Sequence, residues 1–236
     1  MSFQPAASLT EQIADHLGTE IIAGRLRPRT RIQELKVASH LGVSRGSVRE
    51  ALLLLERRHL IEILPRRGAV VSCLGVTEIG NCSELFTALQ VACYSRLARR
   101  KLDPEPLQAA LTQLQTALRE TAGGSQNDAG TANGQGPQRP LVGVLEARRR
   151  FLCAALAQLD DVYLGSVLNT LVPASLRIAH LAAAHPDHDP RDCLRHHRAL
   201  LDALTCGNCE QVAQLLQAFN ARERKLAICC AGQAPN

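Results

Sequence analysis

The sequence has no tryptophan, a single methionine and only 3% aromatic residues. Because β-sandwiches and barrels draw on aromatic and β-branched side chains, this scarcity, beside abundant leucine and alanine, favours helices. No uninterrupted apolar stretch approaches the length of a membrane span, and the first residues, Met1–Pro5, lack the basic and apolar regions of a secretion signal. We therefore expect a mainly α-helical, cytoplasmic protein.

The net charge is also small: the 236 residues include 27 Lys and Arg and 22 Asp and Glu, which gives +5. The excess is uneven: residues 1–75 hold 11 basic against 7 acidic residues, and the remainder holds 16 against 15. A basic N-terminal part suits a polyanion such as nucleic acid, and a near-neutral remainder suits another kind of partner. A hydrophobic content of 46% is enough for one or two buried cores.

Residues 41–52 predict the turn and second helix of a helix-turn-helix. Gly42 gives the turn the backbone freedom that it needs, and Ser44 is a good N-cap for a helix that begins at Arg45. The basic, polar start of such a helix enters the major groove of DNA. Val48, Leu52 and Leu55 form an apolar face of this helix at helical spacing, which could pack on the first helix of the motif. The alternative is a solvated amphipathic helix that carries two arginines.

The flanking segments favour the DNA-binding interpretation. Apolar spacing predicts one helix over Leu9–Ala23 and a shorter one from Ile32 to Leu41. Two β-rich runs, Leu60–Leu64 and Gly68–Cys73, follow the second helix of the motif. Their connection, Pro65-Arg66-Arg67-Gly68, is basic, so the pair predicts the hairpin wing of a winged helix, with arginines at its tip.

Residues 9–73 resemble the N-terminal domain of the GntR family of bacterial transcription regulators. The residues that carry the resemblance are Gly24, Leu26, Pro28, Glu34, Ala38, Leu41 to Arg45, Val48 to Leu52, Leu55, Leu60, Gly68 and Val71. The resemblance implies a double-stranded DNA operator as partner. From the positions of these residues at the start of the second helix and in the wing, we expect Ser44, Arg45, Ser47 and Arg49 to contact bases or nearby phosphates. We expect Arg66, Arg67 and Gly68 to contact the backbone or minor groove.

Four positions depart from the family pattern. Arg29 and His59 stand where the family has glycine, and Ser47 stands where it has proline. Leu35 replaces a residue that is often basic, so one DNA contact is expected to be lost or to move to Lys36. We expect the same fold with an altered sequence preference.

Residues 75–236 form a second domain after a first domain of residues 1–74. Helical spacing resumes near Thr77, and a Gly-, Ser-, Gln- and Asn-rich segment at 121–140 predicts a flexible loop inside this domain. Such a loop is either a tolerated surface insertion or a functional lid. Further helices are predicted at about 141–158, 161–184, 191–205 and 208–230. The pattern resembles the all-helical FCD domain of the FadR-like branch, best matched at His197–Leu204, which implies effector binding and a homodimer.

Many FCD domains hold a divalent metal through one Asp and three His. In this chain the Asp and first His positions carry Arg148 and Leu152, or Arg149 and Cys153 one residue later. The other two positions carry His197 and Asn220. Because a guanidinium repels a metal cation and binds carboxylate or phosphate instead, we expect no metal there.

Our effector hypothesis is an organic acid in the helical domain. Its candidate ligands are Arg148, Arg149, Arg177, His197 and Asn220. The alternative is that the arginines form a solvated or ion-paired face.

Taken together, the sequence predicts a mainly α protein, a winged helix-turn-helix followed by a helical bundle. The expected function is a sequence-specific, dimeric transcription regulator, more often a repressor in this family than an activator. An enzyme is not expected, since no oxyanion turn or cofactor loop accompanies the histidines and cysteines. A thiol-based redox regulator, suggested by nine cysteines and by Cys206-Gly207-Asn208-Cys209, and a metal-responsive regulator are the alternatives.

Overall fold

The apolar periodicities of the N-terminal sequence fold into three helices and a small antiparallel sheet. The computed structural model describes residues 8–123, 139–159 and 161–232, and the chain divides into two compact units, Met1–Leu74 and Gly75–Asn236. The elements of the first unit are α1 (Leu9–Ile22), β1 (Arg31–Ile32), α2 (Glu34–Leu41), α3 (Arg45–Arg57), β2 (Ile61–Leu64) and β3 (Gly68–Val71).

Local sequence signals set the helix ends in this unit. Ser8 and Glu11 form a capping box at the start of α1, each side chain accepting a hydrogen bond from the other residue's backbone N–H. Gly42 ends α2 in the left-handed conformation, at φ 65°, and Ser44 caps α3. The predicted turn and helix start are therefore confirmed.

The core of the first unit lies between α1, α3 and the sheet. The predicted apolar face of α3 is buried there, with Val48 and Leu55 fully inaccessible. Burying such side chains contributes roughly 1.5–3 kcal/mol each. The same core contains Ile13, Ala14, Leu17, Ile21, Ile32, Ala38, Ala51, Leu52, Leu60, Ile61, Ala69 and Val71.

The sheet has one strand more than the sequence predicts. Its order is β1-β3-β2, and both pairings are antiparallel. Arg31 and Ile32 pair with Val70 and Ala69, so the predicted hairpin wing is the larger part of a three-stranded sheet. A strand of two residues shows no alternation in the sequence, which explains why it was not predicted.

Over the described residues, six helices form the second unit, as the fold class predicts. Residues 124–138 of the predicted loop lie outside the described residues, and its edges, 121–123 and 139–140, are helical rather than loop. The helices are α4 (Val76–Ala98), α5 (Glu105–Gly123), α6 (Arg139–Leu156), α7 (Val162–Ala183), α8 (Pro190–Thr205) and α9 (Cys209–Gly232).

The helical unit packs its long helices around a shared apolar interior. Helix α4 packs on α7 and α9, and α5 packs on α6 and α8. Tyr94 and Phe151 are the largest fully buried side chains, with ring centroids 6.5 Å apart. The central side chains also include Ile79, Leu97, Leu107, Leu114, Leu168 and Leu200.

Helix α7 is the one helix among the described residues that could cross a membrane by length and composition, although polar residues interrupt its apolar sequence. Its 22 residues are long and apolar enough to cross a membrane by length and composition, with a mean hydropathy of 1.2. A core helix of a soluble protein meets the same criterion, and α7 packs against α4 and α9 and carries the buried Arg177.

Candidate nucleic-acid interface and effector residues

The N-terminal turn of α3 presents its polar side chains to solvent. The hydroxyl of Ser44 accepts a hydrogen bond from the backbone N–H of Ser47 at 3.1 Å, and the two hydroxyl oxygens lie 2.9 Å apart. The side chains of Arg45 and Arg49 are 62% and 64% exposed. The opposite face of the helix is buried, so the two guanidinium groups are held outward on a fixed element.

Glu34, the first residue of α2, links both arginines. Its carboxylate accepts two hydrogen bonds from Arg49, from Nη2 at 3.0 Å and from Nε at 3.3 Å, and lies 3.9 Å from Nη2 of Arg45. The hydrogen bond from Arg49 holds the pKa of the Glu34 carboxyl below its usual value. Glu34 belongs to the family pattern, but its role could not be predicted from the sequence, because this contact depends on how α2 packs on α3.

The wing places a second basic group at the tip of the β2–β3 hairpin. Arg66 and Arg67 are exposed, and the backbone N–H of Arg67 donates to the carbonyl of Leu64 at 3.2 Å to close the turn. Arg66 and Gly68 have left-handed φ angles of 64° and 76°. This conformation suits glycine and is strained for arginine.

Arg31 is a wing residue that the sequence analysis missed. A Cβ atom on Gly68 would lie 4.0 Å from both Nε and Nη2 of Arg31, so this guanidinium lies against the wing turn. The pairing of β1 with β3 brings it there. The wing therefore carries three arginines.

Two further residues bear on the expected DNA surface. Lys36 lies on α2 and is exposed, as a phosphate contact requires. Leu35, which replaces a residue that is often basic in the resembling family, is 65% exposed rather than part of the core.

The five predicted effector residues do not lie together. Arg148 and His197 are inside the helical unit, and Arg177 is buried on α7. Arg149 is on the surface, where it pairs with Glu146 at 2.7 Å. Asn220 donates to Thr87 and Gln90, at 3.0 and 2.7 Å, beside a cleft of about 520 Å³ between α4 and α9.

Arg148 is neutralised within the chain. Its two terminal nitrogens donate to the two carboxylate oxygens of Glu223 at 2.6 and 2.8 Å, and the side chains are 15% and 12% exposed. Its guanidinium carbon also lies 5.3 Å from the ring centre of Phe219. Burial alone would lower the pKa of Arg148, but the Glu223 charge outweighs it and the pKa is raised.

The two histidines of α8 complete this internal cluster. His196 stacks on Phe219 with ring centres 4.0 Å apart, and His197 meets Phe151 edge-on at 5.0 Å. Nδ1 of His197 donates to the carbonyl oxygen of Cys193 at 2.8 Å. Burial, reinforced by the Arg148 charge, lowers the pKa of His197 to about 3, so its ring is neutral.

Comparison with known proteins assigns the first unit. Residues 9–71 match the model of the bacterial regulatory proteins of the gntR family. This N-terminal segment is therefore similar to the DNA-binding domain of the gntR family. The prediction made from the helix-turn-helix and wing motifs is thus confirmed.

Two sequence relatives of this chain are named as repressors. It is 35% identical over 97 residues to the gluconate operon transcriptional repressor of Bacillus licheniformis, covering 41% of this chain and 40% of the relative. It is 32% identical over 94 residues to the transcriptional repressor RspR of Escherichia coli K12, covering 40% and 41%. The chain thus spans about two fifths of the length of the curated relatives it matches. The relatives are regulators, in agreement with the expectation that the chain is not an enzyme.

Two solved structures share the fold over nearly the whole chain. One from Rhodococcus sp. RHA1 has a TM-score of 0.69 at 22% identity and covers 97% of this chain and 100% of its own. The McbR/YncC protein of E. coli has a TM-score of 0.70 at 21% identity and covers 97% and 99%. At these identities the likeness concerns the fold alone.

The metal that the FCD resemblance implies does not fit the residues of this chain. The Asp ligand of the FCD pattern corresponds to either Arg148 or Arg149. Arg148 points into the helical unit and Arg149 points to solvent, so a guanidinium group occupies the position where a carboxylate ligand would be needed. Asn220 points to α4, where its side-chain amide donates to Thr87. Within residues 8–123, 139–159 and 161–232, no three His, Cys, Asp or Glu side chains are grouped to hold a metal ion.

Proposed function

We propose that this chain is a sequence-specific DNA-binding transcription regulator, and a repressor rather than an activator. The observation that carries the proposal is the pair of exposed arginines at the start of α3, on a helix whose opposite face is fully buried. A helix held in this way can enter the major groove with its N-terminal residues at the base edges. The repressor names of two relatives support the sign of the control.

Each candidate contact has a distinct role in the proposal. Arg45 and Arg49 read base edges, and the hydroxyls of Ser44 and Ser47 contact bases or adjacent phosphates. Lys36 contacts a phosphate from α2. The wing contacts the backbone or minor groove through Arg66, Arg67 and Gly68, and Arg31 joins this group because its guanidinium lies against the wing turn.

The regulator acts as a cytoplasmic homodimer joined by the helical domain, with no membrane partner. One short helix contacts too few base pairs to select a site in a genome, and two copies read a pseudo-palindromic operator. A ligand of the helical domain then acts if it binds one arrangement of the dimer better than another.

The proposed effector is a small molecule that binds the helical domain, and an organic acid is the favoured chemical class. The pairing of Arg148 with Glu223 restricts this proposal, because an acid would have to displace an internal carboxylate to reach that guanidinium. The cleft beside Asn220 offers another location, lined by amides, hydroxyls and Arg224. Glu84 also lines this cleft and lies 3.4 Å from Arg224, so an acid bound there would compete with that carboxylate. Calorimetric titration of the chain with a panel of carboxylic acids tests the class, since binding of none of them would remove it.

Neither alternative regulator is favoured by the structure. A redox sensor needs an accessible thiol whose pKa is low, and burial raises the pKa of both Cys93 and Cys193 to about 12, so these two thiols do not suit that role. Cys73 and Cys206 are exposed and are the thiols on which the redox alternative depends. The metal-responsive alternative lacks a group of ligands over the described residues.

The deciding experiment compares three arginine variants on two DNA probes. The first probe is the duplex that the wild-type chain selects from a random-sequence library, and the second is a random duplex of equal length. Arg45→Ala is expected to cost about 1–3 kcal/mol on the selected duplex and little on the random one. Arg66→Ala is expected to weaken binding to both and to reduce the salt dependence by about one phosphate contact.

Arg57→Ala is the matched control, because Arg57 is an exposed arginine at the opposite end of the same helix. At 1.5 Å per residue it lies roughly 18 Å from Arg45, outside the groove that the helix start would enter. Equal losses from Arg45→Ala on both probes would contradict base reading, and failure of the wild-type chain to select any sequence would overturn the proposed function.

A further inference from the structure

The carboxylate of Glu34 lies between the two arginines that the proposed function assigns to base reading. It binds Arg49 through two hydrogen bonds, at 3.0 and 3.3 Å, and lies 3.9 Å from Nη2 of Arg45. Its own side chain is 29% exposed, less than half the exposure of either arginine. Two cations on one face of α3 are therefore held by one anion at the start of another helix.

Stability does not account for this arrangement. Ion pairs between exposed side chains contribute little to folding, because solvent screens them and two flexible side chains must be fixed. The same domain holds α2 against α3 by apolar contacts, since Ala38 and Val48 are buried and Val37 and Leu41 pack against the same core. The contribution of Glu34 must therefore be sought in what the arginines do.

A negative charge beside a reading arginine has two physical effects on DNA binding. It fixes the guanidinium in one orientation, so that less side-chain freedom is lost when the arginine meets a base edge. It also repels phosphates, which opposes any pose in which Arg49 rests on the backbone. Both effects favour the specific complex over a complex with arbitrary sequence.

We propose that Glu34 is a positioning residue for specificity, which aims Arg49 and Arg45 at base edges and restrains them from the phosphate backbone. The proposal rests on the proposed DNA-binding function. Glu34 itself is not expected to contact a base, because its carboxylate oxygens bind the two arginines.

The test measures discrimination with Glu34→Gln in the full chain. The probes are the duplex that the wild-type chain selects from a random library and a random duplex of equal length, followed by fluorescence anisotropy over a range of salt. The ratio of the two affinities is expected to fall by about 2- to 10-fold, the worth of one immobilised side chain. Affinity for the random duplex rises, and its salt dependence steepens by up to about 0.9 in the logarithmic slope.

Glu20→Gln is the matched control. Glu20 pairs with Arg25 through two hydrogen bonds, at 2.8 and 2.6 Å, in the same domain, and its side chain is 28% exposed. The control removes the same charge and the same kind of ion pair without touching α3. It is expected to leave the ratio of affinities unchanged.

A double-mutant cycle separates positioning from a merely structural role. With Arg49→Ala already present, Glu34→Gln is expected to change the ratio by less than about twofold, since the arginine that Glu34 binds through hydrogen bonds is gone and only the 3.9 Å ion pair with Arg45 remains. A loss of folded protein lowers both affinities equally and leaves the ratio unmoved. An unchanged ratio in Glu34→Gln, or an undiminished effect in the Arg49→Ala background, overturns the role of Glu34 while the regulator proposal stands; a wild-type chain that selects no sequence overturns both.

Discussion

The ion pair between Arg148 and Glu223 predicts an asymmetric response to mutation. The two side chains join α6 to α9 inside the helical unit, with exposures of only 15% and 12%. Glu223→Gln leaves the guanidinium in place, and arginine cannot relieve its burial by losing a proton. Arg148→Met leaves a carboxylate, which can relieve its burial by taking up a proton.

The different protonation behaviour of arginine and glutamate determines how much free energy of unfolding each variant loses. Breaking a buried ion pair by removing one partner costs about 3–5 kcal/mol, because the remaining charge is left without compensation. We expect this loss for Glu223→Gln at neutral pH. For Arg148→Met we expect a smaller loss that shrinks as the pH is lowered and Glu223 becomes protonated. Replacing both residues with Met removes both charges, so the double variant should fall within about 1–2 kcal/mol of the wild type.

Urea unfolding of the full chain, followed by far-ultraviolet circular dichroism, measures these differences, since most of the helix belongs to the second unit. Two domains can give two transitions, so each is fitted separately. Arg149→Met is the control one residue along the same helix, where it breaks a pair whose side chains are 46% and 37% exposed. That variant should cost less than about 1 kcal/mol.

Two results would refute this reasoning. A cost for Glu223→Gln no larger than that for Arg149→Met would mean that the internal pair is not effectively desolvated. Additive losses in the double variant would mean that each side chain stabilises the fold through separate packing contacts rather than through the other's charge.

Three further predictions concern single groups. His59→Gly should raise the free energy of unfolding by about 0.5–1 kcal/mol, since a left-handed φ of 57° costs a side chain more than glycine loses in chain entropy, and a destabilised variant in a urea titration would contradict this. The pKa of His197 in the folded chain, about 3, lies below its value in the unfolded chain, because burial disfavours the charged ring. The free energy of unfolding should therefore be highest above about pH 6.5 and fall by up to about 1.4 kcal/mol per pH unit towards pH 3. The same pH titration of His197→Gln should give a shallower slope. The buried thiols Cys93 and Cys193, with pKa values raised to about 12, should react with a disulfide reagent only when the chain unfolds, and rapid labelling of either, seen by mass spectrometry, would reopen the redox alternative.

Local sequence signals predicted the DNA-binding unit because its turn and helix ends are built from neighbouring residues. Gly42 and Ser44 act on backbone within four residues of themselves, and both lie where the spacing indicated. Arg31 escaped prediction because its position depends on β1 pairing with β3, nearly forty residues away in sequence. Glu34 was visible in the family pattern, but its contact with Arg49 is made across two packed helices.

The effector residues were the least predictable part, because the FCD pattern indicates positions along the chain but not the direction in which each side chain points. Neighbouring residues on a helix point about 100° apart, so Arg148 and Arg149 face the interior and the solvent respectively. Asn220 and Glu223 lie close together on α9, yet the first faces α4 and the second faces Arg148. Glu223 left no local signal, since its partner lies 75 residues earlier.

Arg29 and His59, which stand where the family has glycine, both have a backbone conformation that glycine would adopt more easily. Their conformation indicates which contacts hold the wing in position. Both residues keep a left-handed φ, 65° and 57°, although such a conformation costs a side chain roughly 1–2 kcal/mol. Around His59 the backbone is fixed from both sides: its N–H donates to the carbonyl of Glu56 at 2.9 Å, and its carbonyl accepts from the hydroxyl of Ser72 at 2.9 Å. The next residue, Leu60, is 1% exposed and cannot leave the core without exposing its side chain. The tertiary contacts of β2 and β3 therefore determine the turn, and the strain persists because relaxing it would move the wing away from α3.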